Sequence, residues 1–219
     1  MKPLIAEYLG SLPAINRKET FKDNKVDMRQ GVYKNEFVRK QETAKASNFV
    51  LLNGDCKYDL KNDILLSMTS QILDLVYTAK VREDEGHLRC ICRRPIKQIS
   101  ERKGSLADCI RNRSGKKRKA DADYLCRTRQ HRQSRSVGGD LNKVKEFMLK
   151  KHAEDLKENS YWLGSIDEYL FTGMNPIKDY EQIVNSITVK DIQKFTDDLF
   201  KQKNEIEVSM ISPETPDKE

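Results

Sequence analysis

Residue types that bind metals are concentrated in one segment of this 219-residue chain, between residues 87 and 139. Thiolate and imidazole are the ligands that Zn²⁺ prefers, so zinc binding is the chemistry that these side chains would support. Structural zinc sites usually pair ligands as Cys-x2–4-Cys, whereas here one Cys-x-Cys pair precedes two single cysteines. The candidate ligands are Cys90, Cys92, Cys109, Cys126 and His131. This spacing favours cysteines without a metal over a zinc site.

The same segment carries the positive charge of the chain. Residues 87–139 hold 16 Lys and Arg against 4 Asp and Glu, while the other residues hold 25 against 30. The run Lys116-Lys-Arg-Lys119, with Arg111 and Arg113 before it, could neutralise phosphates or act as a nuclear address. Only Tyr124 supplies an aromatic ring for base stacking, so a solvated basic segment is favoured. Nucleic-acid binding through residues 89–135 is the alternative function.

No complete catalytic motif is present in the sequence. His152 lies in His-Ala-Glu-Asp, but no second His stands one turn away as in a zinc-binding helix, so we expect an exposed helical histidine. The sequence lacks a P-loop and a dinucleotide-binding fingerprint. Its apolar runs, such as 49–52, are far shorter than the roughly 20 residues of a membrane span. The N-terminal residues do not form the apolar core of a signal peptide.

The first part of the chain predicts two helices and two strands. A helix ends near Leu9 before Gly10, and strands are predicted at 32–38 and 46–52, the second closed by a turn at Asn53-Gly-Asp55. Asp59 or Asn62 can cap a helix that reaches Val81. Its apolar positions recur at intervals of three and four and form one stripe: Ile64, Leu65, Met68, Ile72, Leu75, Val76 and Ala79.

Periodicity is lost beyond Gly86 and returns at Asp140. A helix beginning there buries one apolar face, and a second helical segment containing Trp162 continues to Gly173. A short helix follows around Ile183, and Thr188 with Asp191 forms a capping box before another helix. Polar and apolar residues alternate through 205–211 and predict a last strand. The apolar positions of these helices are Leu141, Val144, Phe147, Met148, Leu156, Trp162, Ile166, Tyr169, Leu170, Tyr180, Ile183, Val184, Ile187, Ile192, Phe195, Leu199 and Phe200.

These patterns predict an α+β fold in four parts. Residues 1–86 form the first part of a domain, 87–139 an irregular basic segment, 140–212 a helical second part with the final strand, and 213–219 a tail. With the middle segment irregular, we expect the three strands to have open edges.

The segment Leu73–Gly86, ending Val81-Arg82-Glu83-Asp84-Glu85-Gly86, resembles the M16 (insulinase or pitrilysin-like) zinc peptidases. Further segments occur in the same order as in the C-terminal domain of PqqL-like members, and together they cover roughly three quarters of the chain. They are residues 8–13, 45–53, 140–146, 158–162 and 188–200.

The resemblance implies a LuxS-like domain with an antiparallel sheet packed by helices on one face, here incomplete. Arg82 matches a family arginine that holds the substrate, whereas its tyrosine partner is absent. In the family the zinc ligands come from a His-x-x-Glu-His helix and a distant Glu of the N-terminal catalytic domain. None of these is in the chain, so it has no cofactor of its own, and we do not expect it to hydrolyse peptides alone.

The resemblance also implies partners and a location. The partners are the N-terminal M16 catalytic domain, on the same or a separate polypeptide, and peptide substrates. No membrane span and no nucleic acid is expected among the partners. PqqL-like members imply the periplasm or cell envelope.

The missing tyrosine can be found in another reading frame. Gly86-His87-Leu88-Arg89-Cys90 can be encoded GGG CAC TTA CGG TGT, and the same bases taken one position later give Gly-Thr-Tyr-Gly, which is the family motif. Ser134–Gly139 can likewise be encoded by bases that give Ala-Glu-Val-Ser-Glu when they are read one position later. We therefore hypothesise that residues 87–139 are out of frame, which accounts for the excess of Arg and Cys and the absence of Phe.

Overall fold

The fold is described from a computed structural model of the chain. It describes residues 1–13, 29–40, 45–77, 89–93, 103–113 and 137–212. For residues 45, 46, 76, 77, 89–93, 103–113, 137 and 138 only the backbone is described. Arg82 and the end of the predicted helix at Val81 lie outside these residues.

Five strands form one sheet in the order β1-β5-β2-β4-β3. Their bounds are β1 Val32–Val38, β2 Lys45–Asp55, β3 Arg89–Arg93, β4 Lys103–Arg113 and β5 Asn204–Ile211. The predicted strands β1, β2 and β5 are confirmed. The sheet is mixed, because β1 pairs with β5 in parallel while the other pairs are antiparallel. The expectation of a purely antiparallel sheet was wrong in this respect.

The backbone of β3 and β4 corrects the expectation of an irregular segment at residues 89–93 and 103–113, which are described parts of 87–139. β4 pairs with β2 along its full length, so β2 has a partner on each side and the predicted open edges of β2 do not occur. Pairing of this kind uses backbone N–H and C=O groups, which every residue except proline carries, so a sequence without alternating polarity can still form a strand. The side of β2 that does not pair with β5 is the template on which β4 pairs.

The described residues form six helices. Their bounds are α1 Lys2–Tyr8, α2 Leu60–Tyr77, α3 Val137–Asp155, α4 Asn159–Thr172, α5 Tyr180–Ser186 and α6 Val189–Lys201. All six were predicted, although α3 begins three residues before the predicted start at Asp140. The N-terminus of α2 is capped by Asp59, whose Oδ1 accepts from Asn62 N at 2.9 Å.

The core lies between α2 and the later helices. Its buried members come from α2, α3, α5 and α6, and they form one contiguous cluster. The predicted apolar positions that are instead exposed are Leu75, Phe147, Trp162, Ile166, Tyr169 and Leu170. The buried members are Ile64, Leu65, Met68, Ile72, Leu141, Val144, Met148, Val184, Ile187 and Ile192. The α+β fold with helices packed on a sheet is confirmed.

The C-terminal end of α6 is fixed to the end of β2. Gln202 Oε1 accepts from Asp55 N at 2.7 Å, and Gln202 Nε2 donates to Asp55 O at 3.0 Å. A Cβ at Gly54 would lie 2.8 Å from both Leu199 Cδ1 and Gln202 Nε2, so a larger residue there would displace these side chains. These contacts and the pairing with β4 keep Asn53-Gly54-Asp55 in the strand, and the predicted turn there was wrong.

Removal of the α6 capping box is expected to destabilise the chain by about 1 kcal/mol at neutral pH. Thr188 Oγ1 accepts from Asp191 N at 3.3 Å, and Asp191 Oδ2 accepts from Thr188 N at 2.8 Å. The hydrogen bonds from Thr188 lower the pKa of Asp191. The stabilisation by the capping box is therefore fully present above the ordinary carboxyl pKa, and it is lost as the pH falls through the lowered pKa of Asp191. Urea unfolding of Thr188→Ala should show this loss at neutral pH and a smaller one in acid.

The matched control for this variant is Lys190→Ala, an exposed position in the same helical turn. We expect a change within about 0.5 kcal/mol for this control. Equal effects of the two substitutions would show that the capping box does not stabilise α6.

Candidate functional site

The substrate-binding arginine implied by the family resemblance is not in the described part of the chain. Arg82 lies between α2, which is described to Tyr77, and β3, which begins at Arg89. The role of Arg82 therefore stays a prediction.

Backbone register argues against a zinc site built from the cysteines of β3 and β4. Cys109 pairs with Ile91, whereas Cys90 pairs with Ile110 and Cys92 with Asp108. Successive residues of a strand alternate between the two faces of a sheet, so Cys109 belongs to a different face from Cys90 and Cys92. Cys126 and His131 lie outside the described residues. Within the described parts of the chain, no three His, Cys, Asp or Glu side chains are placed to hold a metal ion.

Cys56 is the one cysteine whose side chain is described, and it is a free thiol. Burial, followed by the charges of Asp59, Asp55 and Asp63, raises the pKa of this thiol. A raised pKa reduces the thiolate fraction, so Cys56 is a poor nucleophile and a poor metal ligand.

An open cavity of about 580 Å³ lies among α2, α3 and α4. Its walls are more polar than the core beside it, since α4 contributes Ser160, Tyr161, Ser165 and Glu168. The other lining side chains with hydrogen-bonding or charged groups are Asp63, Ser67, Gln71, Lys151, His152, Asp155 and Tyr180.

His152 is the buried polar centre of this cavity, and the expectation of an exposed histidine was wrong. Only 5% of the residue is exposed. Its Nδ1 lies 3.1 Å from the Tyr161 hydroxyl, and its ring stacks on Tyr180 with 4.2 Å between centroids. The sequence could not predict this burial, because both aromatic partners come from other helices.

Tyr161 connects His152 to the charged wall of the cavity. Burial and the nearby charge of Asp155 raise the pKa of Tyr161, while a hydrogen bond from Ser165 opposes them. Tyr161 is therefore protonated at neutral pH and able to donate a hydrogen bond.

Helix α4 has its polar side toward the protein and its apolar side toward solvent. Ser165 is its one buried residue, whereas Leu163 and Leu170 are 72% and 77% exposed. The exposed apolar side, called here the α4 stripe, consists of Trp162, Leu163, Ile166, Tyr169 and Leu170. Helix α1 has a similar exposed α1 stripe, consisting of Leu4, Ile5, Tyr8 and Leu9. Contiguous exposed apolar surfaces of this kind mark interaction sites.

The sheet has two different faces. Val50 and Leu52 are buried on the face that packs on the helices, whereas Phe49, between them in sequence, is exposed. Phe49 lies beside Val208 in the sheet register, and the exposed Phe37 lies beside Met210. The second face is therefore apolar and accessible, and we call it the second sheet face.

Solved structures of proteases share this architecture. The periplasmic protease PqqL from Escherichia coli aligns with 97% of the chain at a TM-score of 0.77 and 13% sequence identity. A protease from Helicobacter pylori aligns with 97% of the chain at a TM-score of 0.74 and 14% identity. The peptidase M16 inactive domain from Pseudomonas fluorescens aligns with 87% of it, at a TM-score of 0.68 and 14% identity. The chain has the fold of M16 peptidase domains.

The chain corresponds to only part of each of these structures. It spans 24% of the length of PqqL, 51% of the Helicobacter protease and 45% of the inactive domain. No family model matches the sequence, and no curated protein matches it. Within the described residues, no helix is long and apolar enough to cross a membrane.

Proposed function

We propose that the chain is a non-catalytic portion of an M16-type zinc metalloendopeptidase and forms one side of its substrate chamber. The observation that carries this proposal is the shared fold over 97% of the chain with PqqL, together with the likeness to an M16 domain named as inactive. The absence of His-x-x-Glu-His from the whole sequence agrees with it. Peptide hydrolysis then belongs to the assembled protein and not to this chain alone.

The proposal assigns the zinc ion to a partner, the N-terminal M16 catalytic domain. A zinc peptidase uses the metal to activate water, which requires several protein ligands and an open coordination position. The described residues do not provide such a set. The residues of this chain therefore contribute shape and binding surface.

Three apolar surfaces support a role inside a larger assembly. The α1 stripe and the α4 stripe are long enough to pack against helices of the partner domain, because each presents several large side chains that are mostly exposed. The second sheet face is a suitable wall for a chamber that holds an extended peptide. The likeness to a periplasmic protease supports a location in the periplasm or cell envelope.

The frame hypothesis for residues 87–139 is part of the same proposal. In the sheet register Arg89 stands opposite Arg111, which is an unfavourable pair of like charges on neighbouring strands. Like charges at one register position are expected where a segment keeps its backbone pairing after its residues have been replaced.

A peptidase assay on the reconstituted protein tests the proposed function. The purified chain is expected to give no cleavage of a quenched fluorescent peptide, and to raise the rate at least tenfold when it is added to a zinc-loaded polypeptide carrying the His-x-x-Glu-His half from the same genome. The control is the same mixture with the essential Glu of that motif replaced by Gln, which should be inactive.

Two results would contradict the proposal. Cleavage by the chain alone, retained after chelation of zinc, would make it an enzyme of another kind. A catalytic half that is fully active and does not bind the chain would exclude it as a part of the chamber. Salt-sensitive binding of the chain to DNA or RNA would favour the alternative function through residues 89–135.

A further inference from the structure

Strand β1 lies at one end of the sheet, and within the described residues its outer side has no strand beside it. Its inner side pairs in parallel with β5. Glu205 N donates to Gly31 O at 3.1 Å where this pairing begins, and Arg39 N donates to Ile211 O at 2.9 Å where it ends. Backbone groups alternate in direction along a strand, so the odd-numbered residues of β1 direct their N–H and C=O to β5. The even-numbered residues therefore direct theirs outward.

The residue types of β1 are symmetric about its central residue, Asn35. The strand reads Val-Tyr-Lys-Asn-Glu-Phe-Val, so in either direction the order is apolar, aromatic, charged, polar, charged, aromatic, apolar. The two charged positions, Lys34 and Glu36, have opposite signs. The sequence of β1 is therefore complementary to an antiparallel copy of itself.

We infer that the outer side of β1 pairs with β1 of a second copy of this chain, in an antiparallel register centred on Asn35. An exposed strand edge is a template for pairing with another chain. Opposite charges and pairs of aromatic rings stabilise a sheet when they stand opposite one another on neighbouring strands. The opposed residues in this register are Lys34 and the partner's Glu36, Tyr33 and the partner's Phe37, and Val32 and the partner's Val38.

Backbone geometry and charge select this register together. The outward groups of even-numbered residues must meet outward groups of the partner's even-numbered residues, so the longest two-fold registers are centred on Lys34, Asn35 or Glu36. A centre at Lys34 places two lysines opposite one another, and a centre at Glu36 places two glutamates opposite one another. Like charges at such positions are destabilising. The register centred on Asn35 is the longest of the three, and it alone places opposite charges together.

The pairing is compatible with the contacts that β1 makes inside one chain. Lys34 Nζ forms an ion pair with Glu207 Oε2 at 2.5 Å on the β5 side, and it can keep this pair while the partner's Glu36 approaches from the outer side. The inference does not require either charged side chain to lack a partner. Val32 and Val38, whose exposed fractions are 62% and 68%, become covered by one another.

The resulting dimer has one continuous sheet with a two-fold axis at Asn35, which is an isologous interface. This inference goes beyond the proposed function, because β1 is at the opposite end of the sheet from β3 and the pairing involves no catalytic domain.

Sedimentation equilibrium of the purified chain tests the inference. The chain is expected to form a dimer that dissociates on dilution. Val38→Pro removes one outward N–H and leaves the hydrogen bonds to β5 in place, since proline is tolerated where a strand N–H faces away from the sheet. It should weaken dimerisation at least tenfold. Val38→Thr keeps the N–H and is the matched control, with an expected change of less than twofold.

Charge reversal and cross-linking test the register. Glu36→Lys places a lysine opposite the partner's Lys34 and should weaken dimerisation at least tenfold. Glu154→Lys makes the same change of charge at an exposed position of α3 and should have less than a twofold effect. Asn35→Cys should form a disulfide with its own copy, because opposed residues that share no hydrogen bond have Cα atoms about 4.5 Å apart. Val38→Cys should not, since Val38 lies opposite the partner's Val32.

Mass spectrometry of the linked peptides distinguishes the cross-link at position 35 from links between the native cysteines. A chain that stays monomeric up to about 1 mM would overturn the inference. Equal effects within either pair of variants, or cross-linking at position 38 in place of 35, would overturn it as well. Amides of β1 that become protected from hydrogen exchange only when the catalytic half is added would assign this edge to another partner and overturn it too. The cross-link at position 35 decides the question if Val38→Pro or Glu36→Lys loses the circular dichroism spectrum of the parent chain.

Discussion

A chain in which residues 87–139 are replaced by the translation of the same nucleotides in the shifted frame is expected to be about 1 kcal/mol more stable to unfolding than the present chain. The reason lies in the side chains that the present segment brings to a sheet whose backbone pairing is already complete. Arg89 and Arg111 stand opposite one another, and a pair of like charges at such positions is destabilising.

A second charged residue of β4, Asp108, lies three positions before Arg111. Asp108 pairs in register with Val50, which also pairs with the buried Glu207 on its other side. That row of the sheet contains Lys34, which forms an ion pair with Glu207. The row therefore contains two acidic residues, Glu207 and Asp108, and one basic residue, Lys34.

The measurement begins with the nucleotide sequence across codons 80–145. If the bases encode Gly-Thr-Tyr-Gly in the shifted frame, the chain with the replaced segment can be made. Urea unfolding then compares its free energy of unfolding with that of the present chain. A chain with the same replacement residues in scrambled order is the matched control and should not be stabilised. Bases that encode no such motif in any frame, or a replaced chain that is less stable than the present one, would refute the frame hypothesis.

The elements with local signals could be predicted from the sequence. The capping box of Thr188 and Asp191, the start of α2 at Asp59 and the end of α4 before Gly173 all depend on residues within one helical turn. Gly173 has φ of 76°, the left-handed conformation that glycine adopts readily at a helix end. The bounds of β1 were predicted without error for a similar reason, since β-favouring residues stand at both of its ends, Val32-Tyr33 and Phe37-Val38.

Pairing over long distances could not be predicted in the same way. The parallel pairing of β1 with β5 joins residues more than 170 positions apart, and no local pattern indicates it. β3 and β4 were missed because they lack the alternation that identifies a strand. Their backbone groups pair nevertheless, since the side of β2 that faces them would otherwise be unpaired.

The candidate site was the part least accessible from sequence. The spacing in α4 correctly predicts a helix with an apolar stripe, but a stripe alone does not say whether protein or solvent lies beside it. For His152 the prediction failed in the opposite direction. A polar residue on a polar helix face was expected to be exposed, but His152 is buried. Its burial depends on Tyr161 and Tyr180, which only the packing of α4 and α5 brings to it.

Replacement of Met68 by Ala is expected to lower the free energy of unfolding by about 2–5 kcal/mol. Met68 is fully buried in α2 and belongs to the cluster that joins this helix to α3, α5 and α6. Removing its side chain leaves a cavity that close-packed neighbours fill only in part. Since natural domains have only about 5–15 kcal/mol of stability, this one substitution should remove a large fraction of it.

Leu163→Ala is the matched control for Met68→Ala, because it removes a similar apolar volume from the exposed α4 stripe. We expect a change within about 0.5 kcal/mol for Leu163→Ala in the isolated chain. Equal effects of the two substitutions would show that the buried cluster is not the core of the isolated chain.

The same experiment shows whether the chain unfolds as one unit. Trp162, the single tryptophan, lies on α4, while circular dichroism reports on all the helices. The core cluster takes members from α2 in the first part of the chain and from α3, α5 and α6 in the second, so its loss should release both parts together. Fluorescence and circular dichroism are therefore expected to give the same transition, shifted to lower urea by Met68→Ala. Two separate transitions, with only one moved by the substitution, would show that the residues on either side of 87–139 fold independently.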